Sequence, residues 1–363
     1  MNTHTAAPMD THTIDTSAPV IPADAYDTTS FFTTPDSIAV VANTTAPDAV
    51  PLPSPDASTV ELLAATQESG RRAVPGPFAE TALVARPLLH RTGLPVPDGP
   101  LSYAIAPGLT VQYTHPAASA VGSAGCSGEE DTLLVTGTLR RVPWARTATA
   151  VVVVATAPSG PVLFALTPDQ AILTPGGNLA EEPRDDLHLT AVEIPASRVR
   201  RVSPELADEA RLRAALARSA LIAGAAERCV GLTLAHTTAR TQFGRPLSHF
   251  QAVKQEEARL IEEAALVRAA VQAAAVPLDT GGEAARFAVA AAKTQASVSA
   301  AEITRIAHQL HGAIGITKLH PLHLATTRLW SWRDEDGDET SWAHRLARPL
   351  TATTLWPTLT TTP

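Results

Sequence analysis

The chain has 363 residues, 45% of them apolar, which is enough for two or three structural layers around a sizeable core; aromatics at 4% leave that core mostly to Ala, Val and Leu. A formal net charge of -8 argues against nucleic acid or an anionic membrane as the main partner. The two cysteines, Cys126 and Cys229, are too few and too far apart for a disulfide framework or a zinc site; no run approaches the about 18 apolar residues of a membrane span, and the N-terminus lacks a signal peptide's basic and apolar stretches, so a reduced, cytoplasmic setting is expected.

Residues 1–57 are rich in Thr, Ala, Pro, Asp and Ser without any period, the composition of a disordered tail. A short helical unit is expected over 58–100, with one helix ending near Gly70, a Pro-Gly-Pro break, and a second helix through "AETALVARPLLHRTG" closed by Gly93. Over 101–202 the period becomes two. The stretches "DTLLVTGTLRRVP", "TATAVVVVATA", "GPVLFALTP" and "LHLTAVEIPASRV" read as short strands with a hairpin turn at 158–160, so the middle unit is expected to be a small β-barrel or sandwich.

From Ser203, an N-cap followed by proline, the pattern over 203–350 is helical. One long helix is expected to reach about Arg240. A second starts near Ser248 with Phe250, Val253, Leu260, Ala264, Val267 and Val271 on one face. A third runs from about Glu283 to His311, and a fourth starts near Pro321. Four such helices joined by short corners predict an antiparallel four-helix bundle, and the fold class is α+β. Residues 351–363 form a second tail.

The corner "ARTQFGRPLSHFQ" holds residue types suited to a nucleotide. Arg240 sits where a guanidinium can grip a phosphate, Gln242 and Gln251 carry amides, Phe243 offers a ring, and Gly244 lets backbone approach a ligand. The same residues also suit a plain corner, with Arg240 in solvent and Phe243 in the core. Further on, "AHQLHGAIGI" offers the Gln309 amide and bare backbone at Gly312 and Ala313. His308, His311, His320 and His323 are close in sequence, but their spacing over a helix end and a turn gives no reason to expect a metal. Lys293 is expected to be solvated or paired.

These two segments, in this order, resemble the acyl-CoA dehydrogenase family. Its R-x-x-F-G corner corresponds to Arg240–Gly244, followed by Phe250-Gln251, and its Q-x-x-G-G-x-G turn to Gln309–Gly315. "ESGRRAVPGPFAET" and "GTLRRVPWARTATAVVVVA" are similar to family segments upstream, so the resemblance covers about residues 60 to 350, and the chain looks like a short, divergent member of the actinobacterial type. It implies FAD bound between the β domain and the bundles of two subunits. Arg240, Gln242, Phe243, Gln251, Gln309, Gly312 and Ala313 would be its contacts, an acyl-CoA thioester the substrate, and an electron-transferring flavoprotein the electron acceptor.

Three departures stand out. The N-terminal helical unit is short. The stretch 115–131, "HPAASAVGSAGCSGEED", replaces the family's T-E-x-x-x-G-S-D segment, and the catalytic Glu-Gly becomes Asp336-Gly337, which makes Asp336 the aligned general base. Two readings follow: a dehydrogenase of acyl-CoA lipid metabolism, or a catalytically degenerate subunit that completes the FAD site of a full-length partner. Both imply a homo- or hetero-oligomer.

Overall fold

The computed structural model describes residues 50–51, 53–54, 57–114 and 132–348; the expected tails lie almost entirely outside the described residues, and the 115–131 stretch wholly so. The first helix, α1 (Thr59–Arg72), starts at a reciprocal cap: the Ser58 hydroxyl accepts from the Glu61 N–H while the Glu61 carboxylate accepts from the Ser58 N–H. It ends at Arg72, close to the expected end near Gly70, and that glycine serves packing. A Cβ on Gly70 would run into the Leu221 carbonyl, and one on Gly224 into the Gln67 carbonyl. Two glycines thus let two helix backbones touch. After the Pro-Gly-Pro break a π-helical turn (Glu80–Ala85) leads into α2 (Arg86–Thr92), where Pro87 has no N–H to return to the preceding turn. Gly93 ends α2 in the left-handed region at φ 63°.

The middle region forms two separate four-stranded sheets, so it is a sandwich and not a closed barrel. The first holds β1 (Leu101–Ala106), β4 (Ala150–Ala157), β5 (Gly160–Leu166) and β8 (Val199–Arg201) in the order β1-β4-β5-β8, with β1 and β4 parallel. The second orders β2 (Thr110–Thr114), β3 (Thr132–Pro143), β7 (Arg184–Ile194) and β6 (Ile172–Thr174) as β2-β3-β7-β6. The unbroken valine run of β4 has a physical cause, since both faces of its sheet are covered. Val151 and Val153 pack into the sandwich with Leu133, Phe164 and Leu187, whereas Val152 and Val154 pack against the helices with Leu89 and Leu216.

The long helix α3 (Pro204–Ala239) is capped by Ser203 and buried on nearly every side, which is why its sequence shows no clean polar face. It packs with α4 (Gln251–Ala273), α6 (Gly282–His311) and α7 (Leu322–Asp334) in the four-helix bundle. Leu260, Ala264, Val267 and Val271 face inward from α4 as expected. Two elements differ from the sequence reading. A short helix, α5 (Ala275–Thr280), crosses Pro277, and the fourth helix breaks at Asp336-Gly337 before α8 (Glu339–Ala347). No helix among the described residues is long and apolar enough to cross a membrane.

Candidate active site

Where the sandwich meets the bundle, a cavity of roughly 760 Å³ opens between the edges of β1 and β3 and the C-terminal end of α7. Asp336 stands at its wall, on the tight turn between α7 and α8. The turn is held in three ways. Asp336 itself takes φ 57° and Gly337 φ 101°, the Trp342 ring N–H donates to the Asp336 carbonyl at 2.9 Å, and Asp338 caps α8. A side chain at Gly337 would have to take that strained φ and would meet Trp342 Nε1 at 2.5 Å.

Two donors meet on one oxygen of Asp336. Tyr103 Oη donates to Oδ2 at 2.6 Å and Arg218 Nε at 3.1 Å, leaving Oδ1 without a hydrogen bond among the described residues. Burial, reinforced by the Asp336 charge, pushes the Tyr103 phenol well above its ordinary value, so it stays a donor. Arg218 is enclosed in the middle of α3. Its burial works against its charge, but Glu80, Glu335 and Asp336 outweigh it and hold the guanidinium well above its usual value.

From Arg218 the charges run on through the interior. Arg218 Nη1 donates to Glu80 at 2.8 Å. Glu335 receives Arg184 through two bonds of 2.8 Å, and Glu182 binds Arg184, Arg328 and the Trp332 ring N–H. Burial opposes ionisation of Glu335, yet the Arg218 and Arg184 charges hold its carboxyl below the ordinary range. Lys293 is fully buried, contrary to expectation. Its ammonium donates at 2.8 Å to the carbonyls of Trp332 and Arg333, which closes the end of α7, and burial pushes it down to about 8.

The acidic run Asp334–Glu339 therefore is not one solvated loop, because Glu335 and Asp336 turn inward to arginines. Sequence reading overlooked Arg184, Arg218, Glu80 and Glu182. One signal was available, a lone arginine at position 218 amid the apolar "AALARSALIAGAA" of α3.

The remaining candidate residues gather elsewhere, and none of them lines the cavity. Arg240 ends α3 and is exposed. Gln242 and Phe243 lie on a tight hairpin in which Thr241-Gln242 pairs with Arg245-Pro246; Phe243 sits at the tip, 90% exposed. Gln251 opens α4, exposed. Gln309 is exposed on the last turn of α6, and Gly312, at φ 64°, and Ala313 follow it, both exposed. The corner and this turn adjoin, since the rings of His236 on α3 and His311 on α6 stack at 4.6 Å. The histidines that come together are not the set close in sequence: His236 joins His311 and His320.

Residues 208–338 match the family model described as "Acyl-CoA dehydrogenase, C-terminal domain". A curated relative, "Acyl-CoA dehydrogenase IpdE2" of Mycobacterium tuberculosis, is 44% identical over 102 residues, 28% of this chain and 30% of the relative. The IpdE2 of Mycolicibacterium smegmatis is 40% identical over 112 residues, 31% of this chain and 34% of that protein, so the matched stretch spans about a third of these relatives. Among solved structures, the ChsE4-ChsE5 complex from Mycobacterium tuberculosis superposes with a TM-score of 0.69 at 22% identity, over 80% of each chain. Butyryl-CoA dehydrogenase from Megasphaera elsdenii gives 0.68 at 15% identity, covering 80% of this chain and 82% of that one. Residues 208–338 thus carry an acyl-CoA dehydrogenase C-terminal domain, and the described residues share the fold of these acyl-CoA dehydrogenase structures.

Proposed function

We propose that this chain is a subunit of an FAD-dependent acyl-CoA dehydrogenase that introduces an α,β double bond into an acyl-CoA thioester, with Asp336 as general base. One observation carries the reading: a carboxylate at a cavity wall, anchored through Oδ2 by Tyr103 and Arg218, with Oδ1 unbonded among the described residues. In this reading the α-proton goes to Oδ1 while the two donors keep the carboxylate from turning. Ile105, Leu139 and Trp330 give the cavity apolar wall that limits water beside the base. Buried Arg218 and Glu335 set the charge behind it.

The residues at the bundle end suit the nucleotide part of FAD. Arg240 has no acidic partner among the described residues, the Cβ direction of Gly312 is open, and the apolar face of Phe243 is bare. Arg240 would hold the pyrophosphate, Gln309, Gly312 and Ala313 the adenosine end, and Gln242, Phe243 and Gln251 the rest of the corner. FAD, when bound, supplies the two-electron acceptor. Electrons would leave to an electron-transferring flavoprotein, and the working form would be a homo- or hetero-oligomer.

A second reading, a subunit that completes the flavin site of a full-length partner chain without performing the chemistry itself, is supported by the short N-terminal helical unit and the replaced 115–131 stretch. The outward-facing nucleotide-type residues, which line no part of the Asp336 cavity, fit both readings, because the implied flavin site is shared between two subunits. Visible absorption of the purified chain during anaerobic addition of acyl-CoAs separates the two. Bleaching of flavin bands by one thioester supports the dehydrogenase. Flavin that stays oxidised with every thioester, or a colourless chain that gains flavin only with a second acyl-CoA dehydrogenase chain, favours the completing subunit.

A further inference from the structure

Three imidazoles meet where the ends of α3 and α6 face the segment entering α7. His236 comes from the last turn of α3, His311 closes α6, and His320 precedes α7 by two residues; each offers a ring nitrogen, and these nitrogens lie within 4.8 Å of one another. The His236 and His311 rings stack, and His320 stands edge-on to them at centroid distances of 6.2 and 4.6 Å.

His311 is the buried member, 5% exposed. Its Nδ1 lies 2.7 Å from the Ala307 carbonyl, which can only accept, so the proton is on Nδ1 and the bare lone pair on Nε2. That Nε2 is itself buried and has no hydrogen-bond partner. An acceptor left so costs on the order of 1–3 kcal/mol unless something occupies it. A carbonyl on the far nitrogen is also the arrangement that orients a metal-bound histidine.

We propose that His236, His311 and His320 form a site for a divalent cation of the zinc class, with its remaining position open to water. Neutral imidazoles are suited to zinc, nickel, cobalt and copper, not to magnesium or calcium, and three protein ligands with an open fourth position is a familiar zinc arrangement. Bonds of about 2.0–2.1 Å place tetrahedral nitrogens about 3.4 Å apart, so a pair at the 4.8 Å limit must close by about 1.4 Å. His320 joins by giving up the 3.2 Å bond that its Nδ1 accepts from the Leu322 N–H. The cation would tie α3, α6 and the entry to α7 together beside Arg240 and Gly312. This site rests on the histidine geometry alone and stands whether or not the chain is a dehydrogenase.

The test uses the full chain, stripped of metal and titrated with Co(II), whose tetrahedral complexes absorb intensely in the visible whereas the aqua ion barely does. The expected result is a saturable spectrum at one cobalt per chain, displaced by Zn(II). Binding should weaken at least about tenfold in His236→Gln and in His320→Ala. It should be unchanged in His90→Ala, an exposed histidine elsewhere. His311 is left intact because its burial would confuse binding with folding. Cobalt that stays octahedral overturns the proposal. So does a tetrahedral spectrum that survives either substitution at full strength, since all three imidazoles are required.

Discussion

Around Asp336, charged side chains from distant stretches of the sequence find their partners within the chain: Glu80 on Arg218, Glu335 on Arg184, Glu182 on Arg328. Around Arg240, a cation without an acidic partner among the described residues, an aromatic ring that meets Phe250 edge-on but is otherwise exposed, and an open glycine face outward. The contrast separates two kinds of polar construction. The first is paired from within, save for the buried Arg218 Nη2, and fixes one carboxylate in place; the second is left for a ligand or another chain to complete. Mutation should therefore hurt stability at the first and binding at the second.

The sharpest break is at the base. Asp336→Asn keeps the Tyr103 and Arg218 contacts nearly isosteric, and turnover should fall by about 10²–10⁴-fold with flavin content unchanged, read by steady-state kinetics and absorbance. Normal turnover would remove Asp336 from the mechanism. Next, Arg218→Met strands the buried carboxylates, and urea unfolding should show a loss of about 3–5 kcal/mol. A loss below about 1 kcal/mol would mean the interior charges are hydrated.

Third is a pH effect. Lys293 is held at about 8 from an ordinary 10.5, so between those values the unfolded chain binds more protons than the native one. Stability from this group therefore rises with pH across that window, by about 3 kcal/mol at most, and Lys293→Met should abolish the rise in unfolding curves taken at pH 8 and 10. The smallest effect on folding belongs to the corner. Arg240→Ala should change stability by less than about 0.5 kcal/mol yet lower the flavin that co-purifies. A large destabilisation there would erase the contrast itself.

How much could be read from sequence follows the same division. The helices and the two bundle segments were legible because caps, glycines and apolar periods are local; Ser203 and Gly93 mark their elements directly. The interior ion pairs were not, because their members lie 138 and 151 residues apart, and only folding shows which acids in Asp334–Glu339 turn inward. Gly70 illustrates the limit in miniature. A glycine near a helix end looks like a stop signal, and here the carbonyl of Leu221 makes it a contact surface. His236 was equally opaque, since nothing in α3 announces partners from beyond residue 310.

The first sheet has a practical consequence for anyone cutting this protein into pieces. Its strands offer one valine face to the sandwich and the other to the helices, so a fragment bounded near 101 and 202 would carry Val152, Val154 and Leu163 into water as a continuous greasy plane. Such a fragment is expected to self-associate on expression, so the middle cannot be excised as a soluble piece.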